Sequence, residues 1–283
     1  MDDLNHSDST GRDAVLARLH QLPMLSILVQ EVIASFKDDH LDRSTLAYKI
    51  SQDQGLSAKV LRVANSPFYG LSRMVGSVQD AVLVMGFNAI RSLALSAGFV
   101  LAFPETPGNR FDRRAFWLRS FRVACYTQAL AKHLNQDPQQ ESFTIGMFHD
   151  IGQLVLDVCI PEQFAAILAQ QEISGLSLIE IEQSELGFDH ASIGAEMAKH
   201  WNFPQEIEQA IRYWRTPEHE PFGKFTGMVH VAVLLEEGLR GEELFNRLPK
   251  TLCDHLQLSW ERIKAGMPEQ EQLDGVATMI LEA

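Results

Sequence analysis

Apolar residues recur along almost the whole chain at intervals of three and four positions, the spacing that places them on one face of an α-helix. Leu25, Leu28, Val29, Val32 and Ile33 form the clearest stripe of this kind. No stretch of alternating apolar and polar residues is long enough to predict a β-strand. The pattern therefore predicts an all-α fold.

Capping residues and helix-breaking residues predict where several of these helices begin and end. Ser77 precedes one apolar run, and Ser177 stands three residues before Glu180, the spacing of a capping box. Asp112 is a candidate N-cap for a long helix over residues 113–134. Further helices are predicted over residues 141–158 after Pro138, from Pro161, over residues 189–201 and 204–214, and from Thr226 onward.

Proline and glycine accumulate in residues 103–109, a segment that cannot be helical throughout. We therefore expect a boundary there between an N-terminal helical lobe, residues 11–108, and a second lobe, residues 109–283, which includes a C-terminal helical extension. Residues 1–10 are polar and acidic. They are expected to form a flexible N-terminal tail.

The composition is that of a folded globular chain, with 46% hydrophobic and 22% charged residues, which excludes disorder as the main theme. No apolar run approaches the roughly 20 residues that span a membrane, and the polar start carries no export signal. Cys125, Cys159 and Cys253 are widely spaced and are interpreted as reduced thiols. These features predict a cytoplasmic protein without a membrane partner.

The net charge of −13 is distributed unevenly. Residues 1–110 carry 10 basic and 11 acidic side chains, whereas residues 111–283 carry 14 and 26. A chain this acidic repels the phosphate groups of nucleic acids, so we do not expect a nucleic acid to bind across its whole surface. The acidic pairs at 236–237 and 242–243 are interpreted as an exposed face.

A local group of polar and basic residues in the first lobe allows a confined anionic ligand or partner. Lys59, Arg62 and Arg73 are basic, and Asn65 ends the helix that carries the first two. One hypothesis is a surface that recognises a phosphate-bearing ligand. The alternative is a solvated helical face, with Asn65 capping the helix or bonding to a neighbouring loop.

The strongest candidate for chemistry is the adjacent pair His149 and Asp150. On a helix, neighbouring side chains point about 100° apart, so an imidazole and a carboxylate could approach one metal ion. His190 begins a later predicted helix, where the helix dipole favours a neutral ring. The alternative for each histidine is a hydrogen-bonded core residue.

These residues lie within a longer set of segments that resembles the HDOD domain, a divergent branch of the HD-type metal-dependent phosphohydrolases found in bacterial signalling proteins. The resemblance covers roughly residues 14–215, with departures at Ser26 and Gln54, where the family often has proline. It is carried by Leu22-Pro23, the helix from Asp53 to Asn65-Ser66, Ser77-Val78, Met85-Gly86, Phe148-His149-Asp150-Ile151-Gly152, residues 186–194, and Trp201-Asn202-Phe203-Pro204.

The resemblance implies a two-lobed helical fold, with an N-terminal bundle packed on an HD-like lobe, and a metal site that is incomplete in this chain. Arg119 stands at the position of the family's first histidine ligand, and Val233 near that of its late aspartate. Tyr213 and Trp214 stand where relatives often carry two histidines. The remaining candidate ligands are His149, Asp150 and His190, with His230 as a substitute and His219 as a weaker one.

Arg119 is expected to pair with Asp150, because a permanent cation would then replace the metal as the balancing charge. The resulting hypothesis is a regulatory, non-catalytic protein that acts through signalling partners or a small ligand and needs no cofactor. An alternative is a phosphohydrolase with a single Fe, Mn, Zn or Mg ion, acting on nucleotides or a cyclic dinucleotide. A third is nucleic-acid binding through the basic lobe.

Overall fold

The computed structural model describes residues 5–37, 42–106, 108–134, 139–219 and 221–282. Within these ranges the chain forms α-helices and two short 3-10 turns, Leu19–Gln21 and Pro67–Tyr69, and no β-strand. The predicted all-α class is confirmed. The helices are α1 Asn5–Ala17, α2 Ile27–Ala34, α3 Arg43–Gln52, α4 Gln54–Ala64, α5 Val78–Met85, α6 Phe87–Ala102, α7 Arg113–His133, α8 Gln139–Phe148, α9 Gly152–Cys159, α10 Pro161–Ser174, α11 Leu178–Leu186, α12 His190–His200, α13 Gln205–Tyr213, α14 Lys224–Glu236, α15 Gly241–Arg247, α16 Lys250–Leu256, α17 Trp260–Gly266 and α18 Gln270–Leu281.

The capping residues read from the sequence begin the helices that they predict. Ser77 accepts a hydrogen bond from the Asp80 amide at the start of α5, and Asp112 accepts one from Ala115 at the start of α7. Ser177 forms both hydrogen bonds of a capping box with Glu180 in α11. Local side-chain chemistry therefore fixes these boundaries.

The predicted single helix over residues 141–158 is wrong. The segment forms α8 and α9, and residues 149–151 make a turn between them. The carbonyl of Gly146, which a continuous helix would offer to the amide of residue 150, accepts a hydrogen bond from His149 Nδ1 at 2.7 Å. His149 and Asp150 thus project from a tight turn rather than from a helix face. Pro138, the predicted separator before this segment, lies outside the described residues.

Helices α7 and α18 together link distant parts of the described chain. Helix α7 packs against α8, α14, α17 and α18, and α18 in turn packs against α4 and α6. The buried apolar side chains form one continuous cluster with members from Val15 to Ile280. The division into two lobes at residues 103–109 and the tail over residues 1–10 stay predictions; α1 begins at Asn5 and residues 1–4 lie outside the described part. None of the described helices is long and apolar enough to cross a membrane.

Candidate functional site

The turn between α8 and α9 places His149 and Asp150 in the interior, where each is 1% exposed. Gly152, the first residue of α9, lies against the backbone of α12. A Cβ atom at this position would collide with the carbonyl oxygen of His190 and would lie 2.8 Å from the amide nitrogen of Gly194. The absence of a side chain at Gly152 therefore lets α12 approach closely enough for His190 to reach Asp150.

His190 forms a buried chain of contacts with two carboxylates. Its Nε2 lies 3.3 Å from Asp150 Oδ1, and its Nδ1 lies 2.7 Å from Glu182 Oε2 in α11. The same Glu182 oxygen accepts a hydrogen bond from the backbone amide of His190 at 2.9 Å. Glu182 was not among the predicted site residues. Its carboxylate lies next to Ile181 on the apolar face of α11, and an acidic residue on such a face could have been recognised from the sequence as a candidate.

Arg119 of α7 closes the other side of Asp150. Its Nη1 lies 3.0 Å from Asp150 Oδ2, and its Nε lies 3.1 Å from Glu236 Oε2 in α14. Glu236 also accepts a hydrogen bond from Arg122 Nη2 at 2.7 Å. Because the Glu236 side chain is only 9% exposed, the interpretation of residues 236–237 as an exposed acidic face is wrong for Glu236. The role of Glu236 as a partner of Arg119 and Arg122 depends on the packing of α14 against α7, which is distant in the sequence.

The charges of this cluster are set by burial and by neighbouring ions. Burial lowers the pKa of His149 to about 4, so its ring is neutral. Burial alone would also lower the pKa of His190, but Glu182 and Asp150 outweigh it and raise this pKa to about 9. Burial opposes ionisation of Asp150 as well, yet His149, His190 and Arg119 hold its pKa well below 3.8. At neutral pH, Asp150 therefore faces two cations, Arg119 and His190.

The other residues considered as ligands have different contacts. His230 Nδ1 donates a hydrogen bond to the Trp214 carbonyl at 3.0 Å, and the Trp214 ring packs edge-on against His149 at 5.2 Å between centroids. His219 stacks on the ring of Tyr213 at 3.7 Å. Within the described chain, the structure thus brings together His149, Asp150 and His190, and gives His230 and His219 other neighbours.

The donor atoms do not fit a divalent metal ion. Three buried atoms, His149 Nε2, Asp150 Oδ1 and His190 Nε2, make no hydrogen bond of good geometry, although the last two lie 3.3 Å apart. Each histidine uses Nδ1 for a hydrogen bond, as metal-binding histidines do. However, the guanidinium of Arg119 already bonds to Asp150 Oδ2 and places a permanent cation beside this carboxylate. Among the described residues, no three His, Cys, Asp or Glu side chains are arranged to hold a metal ion.

The stability of the fold is expected to decline on both sides of neutral pH. The pKa of His190 is raised from 6.5 to about 9, so its contribution is complete below pH 6.5 and is lost as the pH rises through about 9. The pKa of His149 is lowered from 6.5 to about 4. Between these two pH values, His149 is protonated in the unfolded chain and neutral in the folded chain, so the stability of the fold decreases as the pH falls toward 4.

Urea unfolding of the wild type, His149→Gln and His190→Gln across this pH range checks both effects. His190→Gln should remove the alkaline decline, and His149→Gln the acidic one. The exposed His20 is a control, and His20→Gln should change neither limb. An alkaline decline that persists unchanged in His190→Gln would contradict the assignment of charge to that ring.

Of the proposed anionic-ligand residues, Lys59 and Arg62 lie on α4 against the end of α18, and Asn65 and Arg73 follow α4. Lys59 is 4% exposed, and its Nζ donates hydrogen bonds to the carbonyls of Ile280 at 2.9 Å and Glu282 at 3.2 Å. Arg62 Nη1 donates to the Glu282 carbonyl at 2.7 Å. Asn65 exchanges hydrogen bonds with the backbone of Val75 and donates to Leu61, whereas Arg73 is exposed. A ligand at this surface stays a prediction.

Replacing Lys59 with methionine is expected to destabilise the fold by about 1–3 kcal/mol, because buried carbonyls at the end of α18 lose their donor. Amide hydrogen exchange should accelerate first in α18. Lys49→Met is the matched control, since Lys49 is half-exposed and its ion pair with Glu31 lies at the surface. Equal shifts in the urea midpoints of the two variants would contradict the role of Lys59.

The chain is similar to a known protein family, to a curated protein and to several solved structures. The family model for the HDOD domain matches residues 22–217. A curated protein from Treponema pallidum (strain Nichols), described as uncharacterized, is 23% identical over 254 residues. That match includes 88% of this chain and 48% of the relative. The chain therefore spans about half the length of the curated relative that it matches.

Solved structures resemble the described fold over nearly its full length. A protein from Shewanella amazonensis SB2B, provisionally named a phosphohydrolase, is 28% identical with a TM-score of 0.77, covering 94% of this chain and 98% of that one. An HDOD domain protein of unknown function from Geobacter sulfurreducens is 21% identical with a TM-score of 0.75, covering 98% of both chains. A protein from Marinobacter aquaeolei VT8, provisionally named a signal transduction protein, is 23% identical with a TM-score of 0.80, covering 99% of this chain and 67% of that one.

Proposed function

The chain belongs to the HDOD domain family, and from this premise we propose that it is a regulatory protein of bacterial signal transduction whose HD-like site does not hydrolyse phosphate esters. It acts through protein partners or through a small ligand. The observation that carries the proposal is the 3.0 Å contact between Arg119 Nη1 and Asp150 Oδ2. The carboxylate that a metal ion would need is therefore already part of an ion pair.

The charge balance of the site supports a structural role. Asp150 and Glu182 are compensated by Arg119 and the protonated ring of His190, and Glu236 is compensated by Arg119 and Arg122. A dication added to this set would meet two cations at its central carboxylate, which costs electrostatic energy in a buried site. The pairs therefore hold α7, α11, α12, α14 and the turn between α8 and α9 together without a metal ion.

A metal-dependent phosphohydrolase acting on nucleotides is the second candidate, because three buried atoms at the site make no hydrogen bond of good geometry. These atoms are His149 Nε2, Asp150 Oδ1 and His190 Nε2. The similar Shewanella amazonensis protein also carries a provisional phosphohydrolase name. Hydrolysis would require Arg119 to leave Asp150, so that both carboxylate oxygens become available as ligands.

Turnover of bis(p-nitrophenyl) phosphate and p-nitrophenyl phosphate with added Mn²⁺ or Mg²⁺ separates the two candidates. The proposal predicts that the wild type hydrolyses neither compound faster than the His149→Ala variant. Turnover that is present in the wild type and lost in His149→Ala would overturn it in favour of the hydrolase. Arg119→His, which restores an imidazole at the family's first ligand position, should bind Mn²⁺ more tightly than the wild type.

The proposal also includes a cytoplasmic location and contact with other signalling proteins. All three cysteines are free thiols in the structure, as expected for a reducing compartment. Lys59 and Arg62 supply hydrogen bonds to α18, so we do not include a nucleic acid among the proposed partners. Retention on DNA that falls steeply with salt would contradict that choice.

A further inference from the structure

A cavity of about 730 Å³ lies apart from the His149 and Asp150 site, among the 3-10 turn 67–69, the α5–α6 junction, α7 and the end of α17. Its volume is within the range of small-molecule sites, about 300–1,000 Å³. Neither His149, Asp150 nor any residue that contacts Asp150 lines it. The cavity is therefore a second candidate site with its own chemistry.

Two basic residues contribute to the wall of this cavity. Lys132 and His133, in the last turn of α7, line it. None of the described residues that line it is Asp or Glu, although the chain as a whole carries a net charge of −13. Burial raises the pKa of Tyr69 and that of Cys125, so neither wall residue is negative at neutral pH. This combination favours an anion.

The start of α6 strengthens that preference. The cavity is lined by Gly86, Phe87 and Ala89, which form the N-cap and first turn of this 16-residue helix. The N-cap residue Gly86 has no side chain, so no N-cap side chain hydrogen-bonds to the backbone amides of this turn. Helix N-termini of this kind attract negative groups. Two independent features of the same cavity, Lys132 and the α6 start, thus provide positive potential.

Most of the remaining lining residues are apolar, and Asn88 and Gln128 are polar. Phe68 and Tyr69 pack edge to face with 5.1 Å between their centroids. Phe87, Met85 and Met267 line the cavity with them. Aromatic and thioether groups of this kind contact the faces of planar rings. The walls therefore suit a ligand whose body is aromatic.

We propose that this cavity binds a small organic anion that has an aromatic body and one carboxylate, sulfonate or phosphate group. The ring contacts Phe68 and Tyr69, and the anionic group meets Lys132 and the start of α6. Helix α7 carries both Lys132 and Arg119, so ligand contact and the buried ion pairs share one rigid element. This inference goes beyond the proposed function and does not depend on it, because the cavity is separate from Asp150.

Fluorescence titration with 8-anilinonaphthalene-1-sulfonate tests the proposal, with N-phenyl-1-naphthylamine as its uncharged counterpart. The wild type should bind the sulfonate at one saturable site, and more tightly than the neutral compound. Lys132→Gln should weaken sulfonate binding about fivefold and leave the neutral compound unchanged. Ala129→Phe, which fills the cavity, should abolish saturable binding of both.

Two matched controls locate the site. Lys199→Gln removes a lysine that, like Lys132, precedes histidine in the last turn of a helix. Ala34→Phe fills a separate groove of about 720 Å³ that carries the exposed Met24 and Ile27. Both variants should bind the sulfonate as the wild type does. Circular dichroism verifies that each variant is folded, and Lys132→Gln provides an independent test if Ala129→Phe is not.

Three results would overturn the proposal. The first is the absence of saturable sulfonate binding by the folded wild type. The second is binding that Ala34→Phe removes and a folded Ala129→Phe variant retains, which would assign the probe to the other groove. The third is sulfonate affinity that Lys132→Gln leaves unchanged.

Discussion

Asp150→Asn is expected to lower the free energy of unfolding by about 3 kcal/mol, because it removes the carboxylate that Arg119 and the protonated His190 share. The change preserves the size of the side chain, so its effect reports charge rather than packing. The magnitude lies at the low end for a buried pair, since Arg119 is partly exposed and keeps Glu236. Urea unfolding at neutral pH in the presence of EDTA measures it.

The control for Asp150→Asn is Glu237→Gln. Glu237 also faces Arg119, at 3.8 Å, but is 43% exposed, so its loss should change stability by less than about 0.5 kcal/mol. Asp150→Asn/Arg119→Met should be less destabilised than the two single variants added together, because both members of the pair are then removed. If Asp150→Asn had the same free energy of unfolding as the wild type, Asp150 would not be stabilised by these cations.

Gly152→Ala is expected to destabilise the protein by about 3 kcal/mol or more, because the new Cβ would collide with the carbonyl oxygen of His190. The opposing atoms belong to the backbone of α12 and cannot rotate away. Separation of α9 from α12 would also pull His190 away from Asp150. Thermal or urea unfolding measures the loss.

Gly275→Ala, at another glycine within a helix, is expected to change the stability of the protein in the opposite direction. Nothing lies within 4 Å of a Cβ at Gly275 in α18, so alanine should stabilise the helix by about 0.5–1 kcal/mol. If Gly152→Ala were also neutral or stabilising, the close packing of α9 on α12 would be wrong.

The sequence predicted the parts of the fold that local chemistry determines. Capping residues such as Asp112 and Ser177 act within three or four positions, and the structure has helices beginning where these residues lie. The break at residues 149–151 was missed, because the apolar period continues through it. It depends on the His149 bond to Gly146 and on contact between α9 and α12, which a periodic pattern does not contain.

The candidate site was predictable only in part, for a similar reason. His149, Asp150 and His190 were candidates because of their residue types and their positions on predicted helices, and Arg119 was identified through the resemblance to one family. Glu182 and Glu236 were not identified, since their roles arise from packing between helices distant in sequence. Lys59 and Arg62 were interpreted as part of a possible ligand or partner surface, because α18, which they contact, lies more than 200 residues away in the sequence.

We propose that side-chain ion pairs stand at Asp150 in place of a metal ion. The most direct test is the metal content of protein purified without chelators, incubated with Fe, Mn, Zn and Mg salts and desalted before elemental analysis. We predict far less than one ion per chain, with the same amount in His149→Ala. One ion per chain that is lost in His149→Ala would contradict the claim.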